Sequence, residues 1–126
     1  MTQSIKVIIP AYNEAKSIGK VIKNLPLFVN EIIVVDNGST DQTAIYARQL
    51  GATVLTEVKS GYGNACLKGV HYINKQKTVT DIVVFIDGDY SDYPEELTKI
   101  IAPIIEKDID FVLGSRVKNL RAKGSM

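Results

Sequence analysis

The sharpest chemical signal in the sequence is Asp87-Gly88-Asp89, two carboxylates one residue apart directly behind the apolar run IVVFI. In an extended stretch, residues i and i+2 point to the same side. Carboxylates so placed repel, and one of them has its pKa raised unless a cation sits beside them. Hard oxygen donors backed by an apolar strand suit Mg²⁺ or Mn²⁺, which keep several waters and complete their shell with substrate phosphates. Asp and Gly are also common turn residues. The position after a buried strand is what favours a metal site over a plain turn.

Four other segments carry weaker signals. Gly61-Tyr62-Gly63-Asn64 opens a helical pattern. Glycines there let backbone approach a ligand, and helix N-terminal amides favour anions. The segment matches neither GxxxxGK[ST] nor GxGxxG, so a simple loop-to-helix turn fits it as well. Asp36 ends an apolar run, where a carboxylate can accept hydrogen bonds from a ribose or base, or cap the turn that follows. Tyr12 offers a flat face to a base. Glu14 offers an acceptor, or it opens a helix at the positive end of its dipole. Cys66 falls on an apolar stripe and reads as core, and His71 sits off that stripe with no identifiable partner.

Positioning these groups requires a scaffold, and the chain supplies one. Five β-rich runs, at residues 5–9, 32–35, 52–56, 82–86 and 110–113, alternate with helical patterns. The second and fourth are near-continuous Val/Ile runs, as expected of strands covered on both faces. Ala15, Ile18, Val21, Ile22 and Leu25 predict a first helix, limited by Pro26. Ala44, Ala47 and Leu50 predict a second, with a capping box at Ser39 and Gln42 and a C-terminal cap at Gly51. Cys66, Leu67, Val70 and Ile73 predict a third. Leu97, Ile100, Ile101, Ile104 and Ile105 predict a fourth, with Pro94, Glu95 and Glu96 in its first turn and a kink or early stop at Pro103. This order predicts an α/β fold: an open, mainly parallel sheet with right-handed crossovers and helices on both faces. Ligands of such sheets bind beyond the carboxyl ends of the strands. All five ends carry polar, acidic or glycine-rich residues, including Gly114-Ser115-Arg116 after the last.

Composition narrows the function. The 126 residues make one domain by length. A net charge of +1 excludes the broad basic field of a nucleic-acid binder. One cysteine and one histidine give neither an internal disulfide nor a Cys/His zinc site. No run has the length of a signal peptide or a membrane span, so a cytoplasmic setting is expected. Residues 117–126 are basic, without apolar period, and read as a tail or as the start of a further region.

The succession VIIPAYNE, IIVVDNGSTDQT, KSGYGNA, VVFIDGDY and LGSR resembles the family-2 glycosyltransferases of the GT-A, Rossmann-like fold. The closer likeness is to the branch that makes polyprenyl-phosphate sugars, such as dolichol-phosphate mannose or glucose synthases. It covers residues 5–116. The resemblance implies that residues 1–116 bind a nucleotide-sugar donor, a UDP- or GDP-sugar. Pro10, Ala11, Tyr12 and Glu14 then border base and ribose, Asp36 contacts one of them, and Gly61 and Asn64 lie beside the nucleotide. Gly88 joins the nucleotide-binding residues, Asp87 meets the ribose or metal, and Asp87 and Asp89 hold Mn²⁺ or Mg²⁺ at the diphosphate. Asp89 and Arg116 become the catalytic residues, with Arg116 near a phosphate of donor or acceptor. Transfer proceeds with inversion, and a lipid phosphate is one acceptor class, with attachment at the cytoplasmic membrane face left open.

Family members are usually much longer, so the sequence reads as the donor-binding half of a transferase, open to self-association where a second half would pack. Donor binding with weak or no transfer is the expectation for the chain alone. A non-catalytic nucleotide-binding module is the alternative. A sugar-1-phosphate nucleotidyltransferase ranks third, because PAYNE supplies neither the glycines nor the basic residue of its phosphate loop.

Overall fold

The computed structural model describes residues 4–77 and 80–89, and the strand at 111–112 by its backbone. The fourth helical pattern, Arg116 and the basic residues 117–126 lie outside the described residues. The elements run β1 (Ile5–Ala11), α1 (Ile18–Lys23), β2 (Glu31–Asp36), α2 (Thr43–Gln49), β3 (Thr53–Thr56), α3 (Tyr62–Asn74), β4 (Ile82–Phe85) and β5 (Phe111–Val112). All five strands are parallel, in the order β3-β2-β1-β4-β5.

Alternation along the strands sorts their side chains between two layers. Val7, Ile9 and Ala11 of β1 and Val34 of β2 pack with Ile18, Val21 and Ile22 of α1 and Ala47 of α2. Ile8, Ile33, Val35 and Phe85 face the other way, onto Ala65 and Ile73 of α3. Helices thus cover both faces, as the Val/Ile runs predict. Right-handed crossovers explain the division. The chain steps from β1 to β3 in one direction with α1 and α2 on one face, and then returns across the sheet to β4 with α3 on the other.

Two local expectations change. α1 begins at Ile18 rather than Ala15, because the Glu14 carbonyl accepts from both Ser17 N–H and Ile18 N–H and closes a turn first. The capping box at Ser39 and Gln42 does not form. α2 starts at Thr43, and Ser39 Oγ accepts instead from the backbone N–H of Asn13. The end of α2 is as expected: Gly51 takes φ +93°, and the N–H groups of Gly51 and Ala52 return to the carbonyls of Arg48 and Ala47. In α3, Leu67 faces solvent, while Cys66 and Val70 pack at the edge of the core.

Gly69 seats α3 on the sheet. A Cβ added there would stand 2.8 Å from both Cδ1 and Cγ2 of Ile8, a fully buried side chain. Gly69→Ala should therefore destabilise the fold by about 1–3 kcal/mol through overpacking. Helix propensity favours Ala by about 1 kcal/mol and offsets only part of that. Gly63 has no atom within 4 Å of its added Cβ. Gly63→Ala should be neutral or slightly stabilising, and urea unfolding of the two variants reads the contrast.

Candidate functional site

The direction of chain travel reverses at β1, which has β2 on one side and β4 on the other. At such a switch point the loops leaving neighbouring strands diverge and open a crevice at their carboxyl ends. A cleft of about 530 Å³ lies there. Its walls come from Pro10, Ala11, Tyr12 and Glu14 after β1, Asn37 after β2, Ser60, Gly61, Tyr62 and Ala65 around the start of α3, and Asp87, Gly88 and Asp89 after β4. Eight of the predicted site residues meet here: Pro10, Ala11, Tyr12, Glu14, Gly61, Asp87, Gly88 and Asp89.

Asp36 and Asn64 do not line the cleft. The Asp36 carboxylate turns back to accept from Ser39 N–H at 3.1 Å, which caps the turn after β2. Asn64 Nδ2 donates to the Ser60 carbonyl at 3.0 Å and stays within its own helix start. Both are short polar side chains with a backbone partner within four residues, and that local bond wins.

Sequence reasoning passed over Asn37, Ser60, Tyr62 and Ala65. Asn37 carries the most structure of these. Its Nδ2 donates to the carbonyls of Glu57 and Lys59 at 2.8 and 2.9 Å, and its Oδ1 accepts from Gly61 N–H at 2.9 Å. One amide thus ties the strap between β3 and α3 to the end of β2. It also fixes Gly61, whose φ of +120° suits glycine. The signal for Tyr62 was its place between two glycines at a helix start.

The loops after β1 and β2 are laced together by the remaining motif residues. Asn13, at φ +52°, accepts through Oδ1 from Thr40 N–H at 2.8 Å and from Asp41 N–H at 3.4 Å. Thr43 Oγ1 accepts from Glu14 N–H, and Asp41 Oδ2 accepts from Ala15 N–H. The hydroxyl of Thr43, together with the backbone N–H groups of Thr43 and Ala15, holds the Asp41 carboxyl below its ordinary value. Asn13, Ser39, Thr40, Asp41 and Thr43 thus tie the two loops together, while their neighbours Tyr12, Glu14 and Asn37 line the cleft.

Among the described residues that line the cleft, the charged side chains are all acidic. Burial pushes the Glu14 carboxyl above its ordinary value, and the negative charges of Asp89, Asp41 and Asp87 push it further. Among the described residues, no group of three or more His, Cys, Asp and Glu side chains is arranged as a metal cage. Among the described residues, the hard donors placed together at the cleft are the carboxylates of Asp87 and Asp89, with Glu14 beside them. That chemistry fits a divalent ion that takes most of its ligands from water and phosphate. α3 begins at the same cleft, and its dipole favours negative charge there.

A family model described as Glycosyl transferase family 2 matches residues 6–125. The UDP-N-acetylglucosamine–dolichyl-phosphate N-acetylglucosaminyltransferase of Methanococcus voltae is 33% identical over 134 residues, which cover 91% of this chain and 53% of that protein. Protein RfbJ of Shigella flexneri is 37% identical over 120 residues, 92% of this chain and 88% of that one. Among solved structures, the glucosyl-3-phosphoglycerate synthase of Mycobacterium tuberculosis, in complex with Mn²⁺, UDP and glucosyl-3-phosphoglycerate, matches at 36% identity with a TM-score of 0.67. That match covers 81% of this chain and 39% of the other. The chain spans about half the length of the Methanococcus protein.

Proposed function

The chain belongs to glycosyl transferase family 2, and from that premise we propose that its cleft binds a UDP-sugar for transfer, with inversion, to an acceptor. The observation that carries this reading is the convergence of three segments far apart in sequence, residues 10–14, 60–65 and 87–89, on one cleft at the switch point of the sheet. The uridine base is favoured by the Mycobacterium structure, which holds UDP.

In this reading Pro10, Ala11 and the exposed ring of Tyr12 border the base and ribose, and Glu14 and Gly61 flank the nucleotide. Asn37 joins them as a cleft residue, while Asp36 and Asn64 support the loops. Asp87 and Asp89 would hold Mn²⁺ or Mg²⁺, which supplies Lewis-acid neutralisation of the charge that grows on a departing diphosphate. The amino end of α3 adds its dipole to the same end of the donor. Residues 1–116 are the donor unit, and Arg116 meets a phosphate of donor or acceptor. The acceptor class we favour is a polyprenyl phosphate, which the name of the Methanococcus relative supports. An ionised phosphate is already nucleophilic and needs little general-base help. Such an acceptor would bring the chain to the cytoplasmic membrane face. No helix among the described residues is long and apolar enough to cross a membrane.

Calorimetric titration of the folded chain with UDP and GDP, each with Mn²⁺ and with EDTA, tests the donor site. UDP should bind at least tenfold more tightly with Mn²⁺ than with EDTA, and more tightly than GDP. A folded chain that binds neither nucleotide would overturn the reading. Release of UDP from a UDP-sugar, with and without polyprenyl phosphate, then separates a transferase from a non-catalytic module.

A further inference from the structure

Asp87-Gly88-Asp89 follows a strand only four residues long, so something besides β4 must fix the direction of its two carboxylates. Gly88 is the buried residue of the three, and two contacts hold it from below. A Cβ at Gly88 would stand 3.4 Å from Ala11 Cβ, Glu14 Cγ and Ile9 Cγ2, so its Cα rests against the end of β1 and the stem of Glu14. Its carbonyl accepts a hydrogen bond from Ser17 Oγ at 2.7 Å, across 71 positions of sequence. The same hydroxyl lies 3.4 Å from Glu14 Oε1 and 3.5 Å from the Glu14 carbonyl. A serine has one proton to donate, and the shortest, neutral acceptor here is Gly88.

We propose that Ser17 is a positioning residue for the Asp87/Asp89 pair: by holding the Gly88 carbonyl it sets the turn on which both carboxylates stand, and so sets divalent-ion affinity in the nucleotide complex. This rests on the donor-site reading above. Ser17 lies outside the cleft lining and touches no ligand in that reading, so it acts through the groups it holds, the Gly88 carbonyl at 2.7 Å first and the more distant Glu14 carboxyl second. The turn's fixed direction matters because a small divalent ion demands near-ideal ligand geometry.

The test compares Ser17→Ala and the isosteric pair Ser17→Thr and Ser17→Val with the parent chain. UDP affinity is measured calorimetrically in Mn²⁺ and in EDTA, below the lowest unfolding midpoint of the set. Losing one hydrogen bond should weaken Mn²⁺-dependent UDP binding roughly three- to tenfold in the Ala and Val variants. Affinity in EDTA should stay unchanged, and Thr should restore the parent value. A merely structural serine would lower the midpoint and leave the ratio of Mn²⁺ to EDTA affinities alone, and that result would overturn the proposal. Thr and Val serve the comparison even if Ala unfolds, since they share one shape and differ in the hydroxyl. A parent chain that binds UDP without any Mn²⁺ dependence would overturn the metal-site reading itself, which the parent titration alone reveals.

Discussion

Asp89→Ala should abolish the Mn²⁺-dependent stabilisation of the chain by UDP while leaving the unliganded fold intact. A ligand at about 100 times its dissociation constant adds roughly 2.7 kcal/mol to the folded state. For a domain of this size that raises the unfolding midpoint by on the order of 10 °C, so the expected loss is the whole of that shift. The unliganded variant should stay within about 0.5 kcal/mol of the parent, because Asp89 is exposed at the rim and its removal opens no cavity. Removing it also takes away the largest like charge acting on Glu14. The Glu14 carboxyl should therefore titrate lower in the variant, which carboxylate NMR can follow. A full UDP shift surviving in Asp89→Ala would show that the ion, if bound, is held elsewhere.

Acid should weaken the fold through Glu31, at the opposite end of the sheet from the cleft. Lys6 and Glu31 are register partners on β1 and β2, facing α3. Their ion pair spans 3.2 Å, with the Lys6 side chain only 7% exposed. Glu31 also accepts from Tyr72 Oη at 2.6 Å, Thr53 Oγ1 at 2.8 Å and Gln76 Nε2 at 3.0 Å. Burial alone would raise its pKa. The bonds from Tyr72, Gln76, Thr53 and Lys6 outweigh burial and hold it at about 2, against an ordinary 4.5. A carboxyl lowered on folding contributes stability above its unfolded value and loses it as pH falls toward its folded value. The window is therefore pH 4.5 down to about 2. The full shift corresponds to roughly 3 kcal/mol, and the one-fifth of the side chain left in solvent reduces it to on the order of 2 kcal/mol.

Glu31→Gln makes the same point from the other side. It leaves the buried Lys6 ammonium facing a neutral amide, a change that costs about 3 kcal/mol at neutral pH. It should also flatten the fall in stability between pH 5 and pH 3. Urea midpoints at pH 7 and pH 3.5 for both proteins give the two slopes. Equal slopes would mean that Glu31 does not carry the acid sensitivity.

The two ends of this sheet were unequally legible in the sequence. The cleft end announces itself, because each strand is followed by residues that suit turns and ligands, and Asp87-Gly88-Asp89 needs only its strand to be read. The Lys6–Glu31 end does not. Lys6 looks like a polar interruption of an apolar strand, and Glu31 like its solvent-facing leader. They belong together only because β1 and β2 pair in the register that sets Lys6 beside Glu31, under a helix whose last turn brings Tyr72. The same limit explains the capping box that did not form. Spacing suggests a local partner for Ser39, but Asn13 arrives from another loop and offers its N–H instead.

By itself the sequence determined the α/β class, the alternation of strands and helices, the family, and the strand ends at which the cleft opens. These follow from burial on both faces, turn chemistry and motif order, which are written along the chain at short range. The tertiary structure alone decided the division of labour within the motifs. It set Asn37 at the cleft and turned Asp36 away from it, made Asn13 and Asp41 into loop ties, and placed Ser17 under Gly88. A polar side chain bonds whatever donor or acceptor stands within about 3 Å, and at a switch point those neighbours come from strands and loops up to 71 positions away.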